Sequence, residues 1–252
     1  MRNVIICEGS TDFALLQYYL RKAYGWDDCK EKILQGSSKF NRVRTLKKNN
    51  DTVSIGGVGG SSKIIPCFKS LLDSNRISAQ PEEVFDKIVI ITDRDEWQTE
   101  EEIKSQVTSS LAEYSIVTEQ TIEHDKWLKC SCRNGRGQEI EFSILLLIIP
   151  FETTGAMETF LLEAVAKKDT YDAAIIEKGN KFVDGIDTER RYLNKRRFIT
   201  KAKFDVYFSV RTAAEQFVER QNILKNVEWE KYTEIQISFK KLEELSEAQT
   251  EV

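Results

Sequence analysis

The chain has 252 residues, of which 40% are hydrophobic and 31% are charged, and its formal net charge is −4. Such a chain can bury a sizeable core, and its weak negative charge excludes a polycation that coats nucleic acid over its whole surface. Five scattered cysteines and one histidine exclude a Cys/His zinc site and argue against a Ser-His-Asp or Cys-His mechanism.

No stretch of the sequence has the pattern of a secretory signal or of a membrane span. Arg2 is followed by only a short apolar run before Glu8 interrupts it, and the longest apolar stretch, residues 144–151, is too short to cross a bilayer. We therefore expect a soluble cytoplasmic protein that has no membrane partner and whose cysteines are reduced thiols.

Short runs of β-branched residues alternate with helical patterns, and this alternation predicts an α/β fold with a mostly parallel central sheet flanked by helices. Ser10 or Thr11 is expected to cap the first helix, and Thr99 the helix after the third strand. Residues 29–51 are polar and basic and are interpreted as an irregular connection. The elements predicted up to residue 114 are strand 4–7, helix 13–23, strand 52–55, helix 64–72, strand 87–92 and helix 100–114.

A β-hairpin and a helical C-terminal part are predicted after these elements. Asn134-Gly135 is a strong hairpin signal, so residues 127–132 should pair with residues 138–149 in an antiparallel part of the sheet. The apolar end of the second arm marks a central strand, which Pro150 closes. The later helices are expected over 159–166 and near 200–220. Residues 1–215 are assigned to one α/β domain and residues 216–252 to a C-terminal extension with a frayed tail beyond 245.

Acidic side chains follow the predicted strands where the strands end. Glu8 follows the first strand, with Asp12 one helical turn later, and Asp93 and Asp95 follow the third strand. Glu158 comes soon after the strand that Pro150 closes. Ligands bind at the carboxyl ends of strands in open α/β sheets, and carboxylates gathered there repel one another. The pattern therefore favours a divalent cation, and oxygen ligands suit Mg²⁺ or Mn²⁺.

Ordinary turn and cap residues are the alternative interpretation of any single one of these carboxylates, because the chain has 41 Asp and Glu residues. The joint placement of Glu8, Asp93 and Asp95 at the ends of buried strands favours a cation site over ordinary turn and cap residues. The glycine-rich segment 56–60 lacks the spacing of a nucleotide-binding loop, and it is interpreted as a tight turn beside the acidic edge.

Basic residues in the final third of the chain can contact the phosphates of nucleic acid; these are Lys195, Arg196, Arg197, Lys201 and Lys203. A solvated helical face is the more frequent origin of such a run. Lys201 and Lys203 are favoured because a metal-dependent nuclease usually places a cation near the scissile phosphate.

The two acidic motifs resemble the Toprim domain that topoisomerases, DnaG-type primases, ribosomal RNA maturases and overcoming-lysogenization-defect (OLD) nucleases share. Glu8-Gly9-x-x-Asp12, Asp93-x-Asp95 and the glycine-rich turn are similar to the OLD-like branch. Residues 155–162 look like a segment of small bacterial Toprim families, and residues 201–208 resemble the lysine-bearing helix of OLD-like proteins. The resemblance covers roughly residues 3–210.

This resemblance implies a Mg²⁺- or Mn²⁺-dependent nuclease that acts on DNA, in a process such as phage defence or repair. It implies that Glu8 is a general acid/base or a metal ligand and that Asp93 and Asp95 hold metal. Asp12 and Glu158 would help to bind a second metal. Lys201 or Lys203 would stabilise the charged phosphate.

OLD nucleases are usually fused to an ABC-type ATPase, whereas this chain carries no Walker motif. The chain is therefore expected to be a freestanding nuclease, the nuclease subunit of a system with a separate ATPase, or a metal- or partner-binding Toprim subunit without catalysis. An RNA-processing nuclease is a further alternative that differs only in substrate. A homo-oligomer is compatible with each of these readings.

Overall fold

The computed structural model describes residues 1–31, 33–34, 39–215 and 219–246 of the chain. Its strands are β1 (Arg2–Cys7), β2 (Asp27–Cys29), β3 (Arg42–Lys48), β4 (Asp51–Gly57), β5 (Lys87–Asp93), β6 (Val117–Thr118), β7 (Trp127–Arg133) and β8 (Glu139–Ile149). Its α-helices are α1 (Ser10–Tyr24), α2 (Ile64–Ile77), α3 (Thr99–Glu113), α4 (Met157–Lys168), α5 (Thr170–Ile186), α6 (Arg196–Arg211), α7 (Arg220–Asn226) and α8 (Thr233–Phe239).

One eight-stranded sheet, in the order β2-β3-β4-β1-β5-β8-β7-β6, forms the centre of the molecule. The central strands β4, β1, β5 and β8 are parallel, as predicted. Both margins are antiparallel. Among the residues that the structure describes, three of the seven strand pairings are parallel, so the sheet is mixed rather than mostly parallel. The α/β class, the hairpin and the helical C-terminal part are confirmed.

The segment interpreted as an irregular connection contains all of β3 as well as the last residue of β2 and the first of β4, and this prediction was wrong. β2 is short, and β3 pairs with β4 through a tight turn in which Asn49 adopts a φ of 53°. A turn this short can only join antiparallel strands, and Asn tolerates the left-handed conformation. β3 was missed because only Thr45 and Leu46 of its side chains are buried, so it has no apolar run.

Alternate residues of the central strands face two separate cores. In β1, Ile5 and Cys7 face the core that α1, α4, α6 and the C-terminal helices cover, while Val4 and Ile6 face the core under α2 and α3. This alternation follows from the two-residue period of a strand. Because helices cover both faces, the central strands are buried and read as continuous apolar runs.

The connections of the sheet create a crevice between β1 and β5. The chain leaves β1 for β4 on one side of it and then returns to β5 on the other side, and α1 and α2 lie on opposite faces of the sheet. The carboxyl ends of β1 and β5 therefore separate at a topological switch point, where ligands bind in open α/β sheets. This geometry places the loops after β1 and β5 around one opening.

Two predicted helix caps are corrected. α1 is capped by Gly9, not by Ser10 or Thr11, and the backbone N–H of Gly9 donates to Oδ2 of Asp12 at 2.7 Å. α3 begins at Thr99, whose hydroxyl accepts from the N–H of Glu96 at 3.0 Å instead of capping the helix. At each helix start, the hydrogen bond joins a backbone N–H to a side-chain oxygen three residues later in the chain.

The described residues 219–246 pack onto the same core as α1. Trp229, Ile235 and Phe239 are buried there, and the hydroxyl of Tyr24 donates to the carbonyl of Phe239 at 2.9 Å. The predicted frayed tail lies outside the described residues from 247 onward. None of the helices in the described ranges has both the length and the apolar character to span a membrane.

The turn after β4 requires glycine, and a pair of substitutions tests this requirement. Gly59 has a φ of +79°, and its N–H donates to the carbonyl of Glu8 at 2.9 Å. Gly59→Ala should lower the free energy of unfolding by about 1–2 kcal/mol, because a side chain disfavours that conformation. Gly185→Ala, in α5 with open space around it, should raise it by about 0.5–1 kcal/mol. Urea denaturation measures both; equal changes would contradict the turn's requirement.

Candidate functional site

Four carboxylates line one cavity of about 340 Å³ at the carboxyl ends of β1 and β5. They are Glu8, Asp12, Asp93 and Glu158, four of the five acidic residues that the sequence singled out. Gly57, Gly59 and Gly60 form part of the wall. The cavity coincides with the switch point, so the parallel centre of the sheet determines its position.

Glu8 is held in place by both its backbone and its side chain. Its carbonyl accepts from the N–H groups of Gly59 at 2.9 Å and Gly60 at 3.2 Å, which ties the end of β1 to the glycine turn. The hydroxyl of Thr92, at the end of β5, donates to Oε2 of Glu8 at 3.2 Å. The neighbouring strand β5 therefore orients the Glu8 carboxylate at the cavity.

Asp12 lies in the first turn of α1 and is 3% exposed. Oδ2 accepts from the Gly9 N–H, but Oδ1 is buried and has no hydrogen-bond donor among the described residues. A buried carboxylate oxygen without a donor is costly, because water no longer solvates it. The site thus contains an acceptor that nothing in the described chain satisfies.

The start of α4 lies at the cavity, because Asp93 contacts its first turn and Glu158 belongs to it. Oδ1 of Asp93 accepts from the N–H of Met157 at 3.0 Å, in the first turn of α4, where helix N–H groups are free to bind an anion. Glu158 is 5% exposed, accepts from the hydroxyl of Thr11 at 2.8 Å, and lies 3.5 Å from the guanidinium of Arg220. Each carboxylate therefore comes from a different element of the fold.

Asp95 does not line this cavity and is exposed. β5 ends at Asp93, and the buried side chain of Arg94 donates to the carbonyl of Pro150 at 2.8 Å and to Glu100 at 2.8 Å. Extended backbone through residue 95 would place the side chains of Asp93 and Asp95 on one face. Arg94 still forms a β-bridge with Gly155, but Asp95 belongs to no strand. Asp95 acts on the cavity through its charge only.

Burial and mutual repulsion raise the pKa values of three cavity carboxylates, Glu8, Asp12 and Asp93. Burial, followed by the charges of Glu158 and Glu8, raises the pKa of Asp12 to about 7. Burial and the neighbouring carboxylates raise the pKa of Asp93 well above its usual range. Burial and the charge of Asp95 also raise the pKa of Glu8. A nearby cation would relieve this repulsion.

No group of three or more Asp, Glu, His or Cys side chains within the described ranges has the arrangement of a metal site. The features that invite a cation are the unsatisfied oxygen of Asp12 and the repulsion among the four acids.

Cationic side chains complete the cavity lining. Arg42 at the start of β3, and Arg197 and Lys201 of α6, lie against it together with Asn41. Lys201 and Lys203, which the sequence did not distinguish, differ in position. Lys203 forms an ion pair with Asp184 at 2.8 Å and lines a neighbouring cavity.

Arg42, Asn41 and Arg220 were not among the site residues that the sequence suggested. Arg42 and Asn41 belong to the segment interpreted as irregular, and only the pairing of β3 with β4 carries them to the cavity. Arg220 was assigned to the C-terminal extension, and it also pairs with Asp205 at 2.5 Å. The one local signal was the basic character of residues 42–48.

A family model described as a protein of unknown function, DUF3226, matches residues 2–242. The chain belongs to the DUF3226 family. A comparison of this DUF3226 protein with curated proteins finds no significant match. The cavity and its lining residues therefore have to be interpreted from their own chemistry.

Three solved structures are similar to parts of this DUF3226 protein. The hypothetical protein PH0156 from Pyrococcus horikoshii OT3 has 18% identity and a TM-score of 0.44, with 88% of this chain and 95% of that chain covered. A glyoxalase/bleomycin resistance protein/dioxygenase family enzyme from Burkholderia phytofirmans PsJN has 9% identity, a TM-score of 0.19, and coverages of 57% and 97%. A glyoxalase family protein from Bacillus anthracis has 10% identity, a TM-score of 0.19, and coverages of 57% and 94%. Similarities with TM-scores this low support no conclusion about function.

Neutralising Asp12 should stabilise the metal-free protein. Because folding raises the pKa of Asp12, the stability that its protonated form contributes is present at low pH and is lost as the pH rises through about 7. Asp12→Asn keeps an acceptor for the Gly9 N–H and places a donor among the other carboxylates. In buffer with EDTA at about pH 8, it should raise the free energy of unfolding by roughly 1–3 kcal/mol.

The increase in the free energy of unfolding that Asp12→Asn causes should become smaller towards about pH 6, where Asp12 of the folded wild-type protein is mostly protonated. Urea denaturation at both pH values measures it, and Glu141→Gln, at an exposed position of β8, is the matched control that should change little. If Asp12→Asn is less stable than wild type at both pH values, the proposed repulsion between Asp12 and the other carboxylates is contradicted.

Proposed function

We propose that this DUF3226 protein is a divalent-metal-dependent phosphodiester nuclease of Toprim, OLD-like type that acts on DNA. One observation carries the proposal: four carboxylates from different elements line one cavity together with Arg42, Arg197 and Lys201 at the switch point of the sheet. Hydrolysis of a phosphodiester needs both carboxylates and cations, because a base must deprotonate the attacking water while positive charge neutralises the phosphate. DNA is the proposed substrate because the acidic motifs resemble those of OLD nucleases.

The donor chemistry of the cavity suits a hard divalent cation such as Mg²⁺ or Mn²⁺, and the described side chains would have to move together to bind it. The acidic donors of the cavity are all oxygens, as these ions prefer, and the unsatisfied Oδ1 of Asp12 is an available ligand atom. Glu8, Asp12, Asp93 and Glu158 would hold the metal, with Asp95 adding negative charge at the edge. Bound there, it would act as a Lewis acid on the phosphoryl oxygens and lower the pKa of a water.

The side chains of the protein supply the remaining chemistry. Lys201 and Arg197 neutralise the scissile phosphate from the α6 side of the cavity. Glu8, whose pKa burial raises, is suited to accept a proton from water at its carboxylate. The hydroxyl of Thr92 orients that carboxylate from β5, so Thr92 is a positioning residue.

A separate ABC-type ATPase is a proposed partner, because the chain carries no Walker motif. Purified protein should nick supercoiled plasmid in the presence of Mn²⁺, and EDTA should stop the reaction. Nicking that appears only when an ABC-type ATPase is added would assign the chain to a two-protein system. Metal binding without cleavage of DNA or RNA in either setting would favour the non-catalytic subunit, and cleavage of RNA alone would favour the RNA-processing alternative.

Asp93→Asn should lower the nicking rate by at least about 100-fold, because it removes a cavity carboxylate and keeps its shape. The structure fixes Asp93 by the Met157 N–H, and an amide oxygen can still accept that bond. Circular dichroism and urea denaturation would verify folding. An Asp93→Asn protein that cuts as fast as wild type would remove the assignment.

The two lysines that the sequence could not separate offer a matched pair. Lys201→Ala should lower turnover by roughly 100-fold, because it removes a cation from the cavity. Lys203→Ala removes a cation that pairs with Asp184, and turnover should stay within a few-fold of wild type. The plasmid-nicking rate measures both. The opposite ranking would assign the phosphate contact to Lys203.

A further inference from the structure

The segment 187–203 carries a concentrated positive charge. It contains seven Arg and Lys residues and two acidic residues, a net charge of +5, whereas the whole chain has a net charge of −4. Within the described ranges, five of these cations have no carboxylate within ion-pair distance: Arg190, Arg191, Lys195, Arg197 and Lys201. Such charges are available to bind an anionic polymer.

The loop between α5 and α6 is held in a fixed shape. The carboxylate of Asp187 accepts from the backbone N–H groups of Arg191 at 3.0 Å, Tyr192 at 2.8 Å and Leu193 at 2.6 Å. Arg190 adopts a φ of 51°, a left-handed conformation that is unfavourable for a residue with a side chain. Backbone strain that the surroundings enforce is a mark of functional segments.

This fixed loop presents an aromatic ring to solvent. Tyr192 is 71% exposed, and the guanidinium of Arg191 lies 5.4 Å from its ring centroid. A second exposed ring, Trp97 at 64%, follows Glu96, which pairs with Arg196 at 2.8 Å. Exposed rings beside unpaired cations are the components of a surface that binds single-stranded nucleic acid.

The basic loop adjoins the acidic cavity. A second cavity of about 470 Å³ is lined by Arg190, Lys195, Arg196 and Lys203, and it shares Thr200 with the acidic cavity. α6 thus contributes to two adjacent depressions, one with the four carboxylates and the other with residues of the basic loop and Glu163. A nucleic-acid strand that has one phosphate in the acidic cavity can therefore continue along the basic loop between α5 and α6.

We propose that the loop 187–195 binds the unpaired DNA strand next to the cleavage site, with its phosphates on Arg190, Arg191 and Lys195 and a base stacked on Tyr192. Inside a duplex both faces of every base are already stacked, so away from the duplex ends an exposed ring can add stacking only to an unpaired base. The loop would therefore give the site a preference for single-stranded or frayed DNA. This inference rests on the proposed function for the identity of the polymer.

Fluorescence anisotropy in EDTA tests the inference without any cleavage. The probes are a fluorescein-labelled oligothymidine of about 20 nucleotides and a blunt duplex of the same length. Tyr192→Ala should weaken binding of the oligothymidine by about 5- to 150-fold, because one stacked base is lost. It should change duplex binding little, and Tyr192→Phe should bind the oligothymidine nearly as wild type does.

Tyr171→Ala is the matched control, since Tyr171 is 75% exposed on α5 and lies in neither cavity lining. It should bind both probes as wild type does. Arg191→Gln should weaken binding and reduce its salt dependence. Unchanged oligothymidine binding by Tyr192→Ala, or an equal loss on the duplex, would overturn the inference. Tyr192-dependent binding by a protein that never cuts DNA would uphold this inference and remove the proposed function.

Discussion

Carboxylates that are removed from water next to one another repel strongly, and the sheet of this DUF3226 protein imposes that arrangement. Glu8 follows β1 and Asp93 is the last residue of the adjacent parallel strand β5, and Asp12 and Glu158 reach the same cavity from the first turns of α1 and α4. Burial and repulsion raise the pKa values of Glu8, Asp12 and Asp93. A folded chain keeps such a cluster when a proton or a cation relieves it, so the electrostatics of the cavity connect the fold to the proposed chemistry.

The surrounding elements hold the cluster in place and limit its contact with water. The glycine turn binds the carbonyl of Glu8, the first turn of α4 binds Asp93, and the C-terminal helices pack over α1. Cations from β3 and α6 line the same cavity. The edge strand β3 therefore contributes to the site through Arg42 as well as to the sheet.

Much of the fold could be predicted because the central strands are buried on both faces and therefore read as apolar runs. β1, β4, β5, β8 and the hairpin were found in this way, and the acids at their ends followed. β3 could not be found, because it is a margin strand with two buried side chains. Lys201 and Lys203 are two positions apart in a helix and point in different directions, so only the packing of α6 decides which one reaches the cavity. Asp95 was misplaced because the prediction assumed extended backbone through residue 95, whereas Asp95 lies beyond β5 and beyond the β-bridge of Arg94 with Gly155.

A crystal of the protein soaked in Mn²⁺ and measured at the manganese absorption edge tests the central claim most directly. The account predicts an anomalous peak in the cavity between β1 and β5, within about 2.0–2.4 Å of oxygens from Asp12 and Asp93. The peak should be absent from crystals of the Asp12→Asn protein soaked in the same way. A well-ordered cavity without a peak in the wild-type crystal, or a peak on other residues only, would contradict the account.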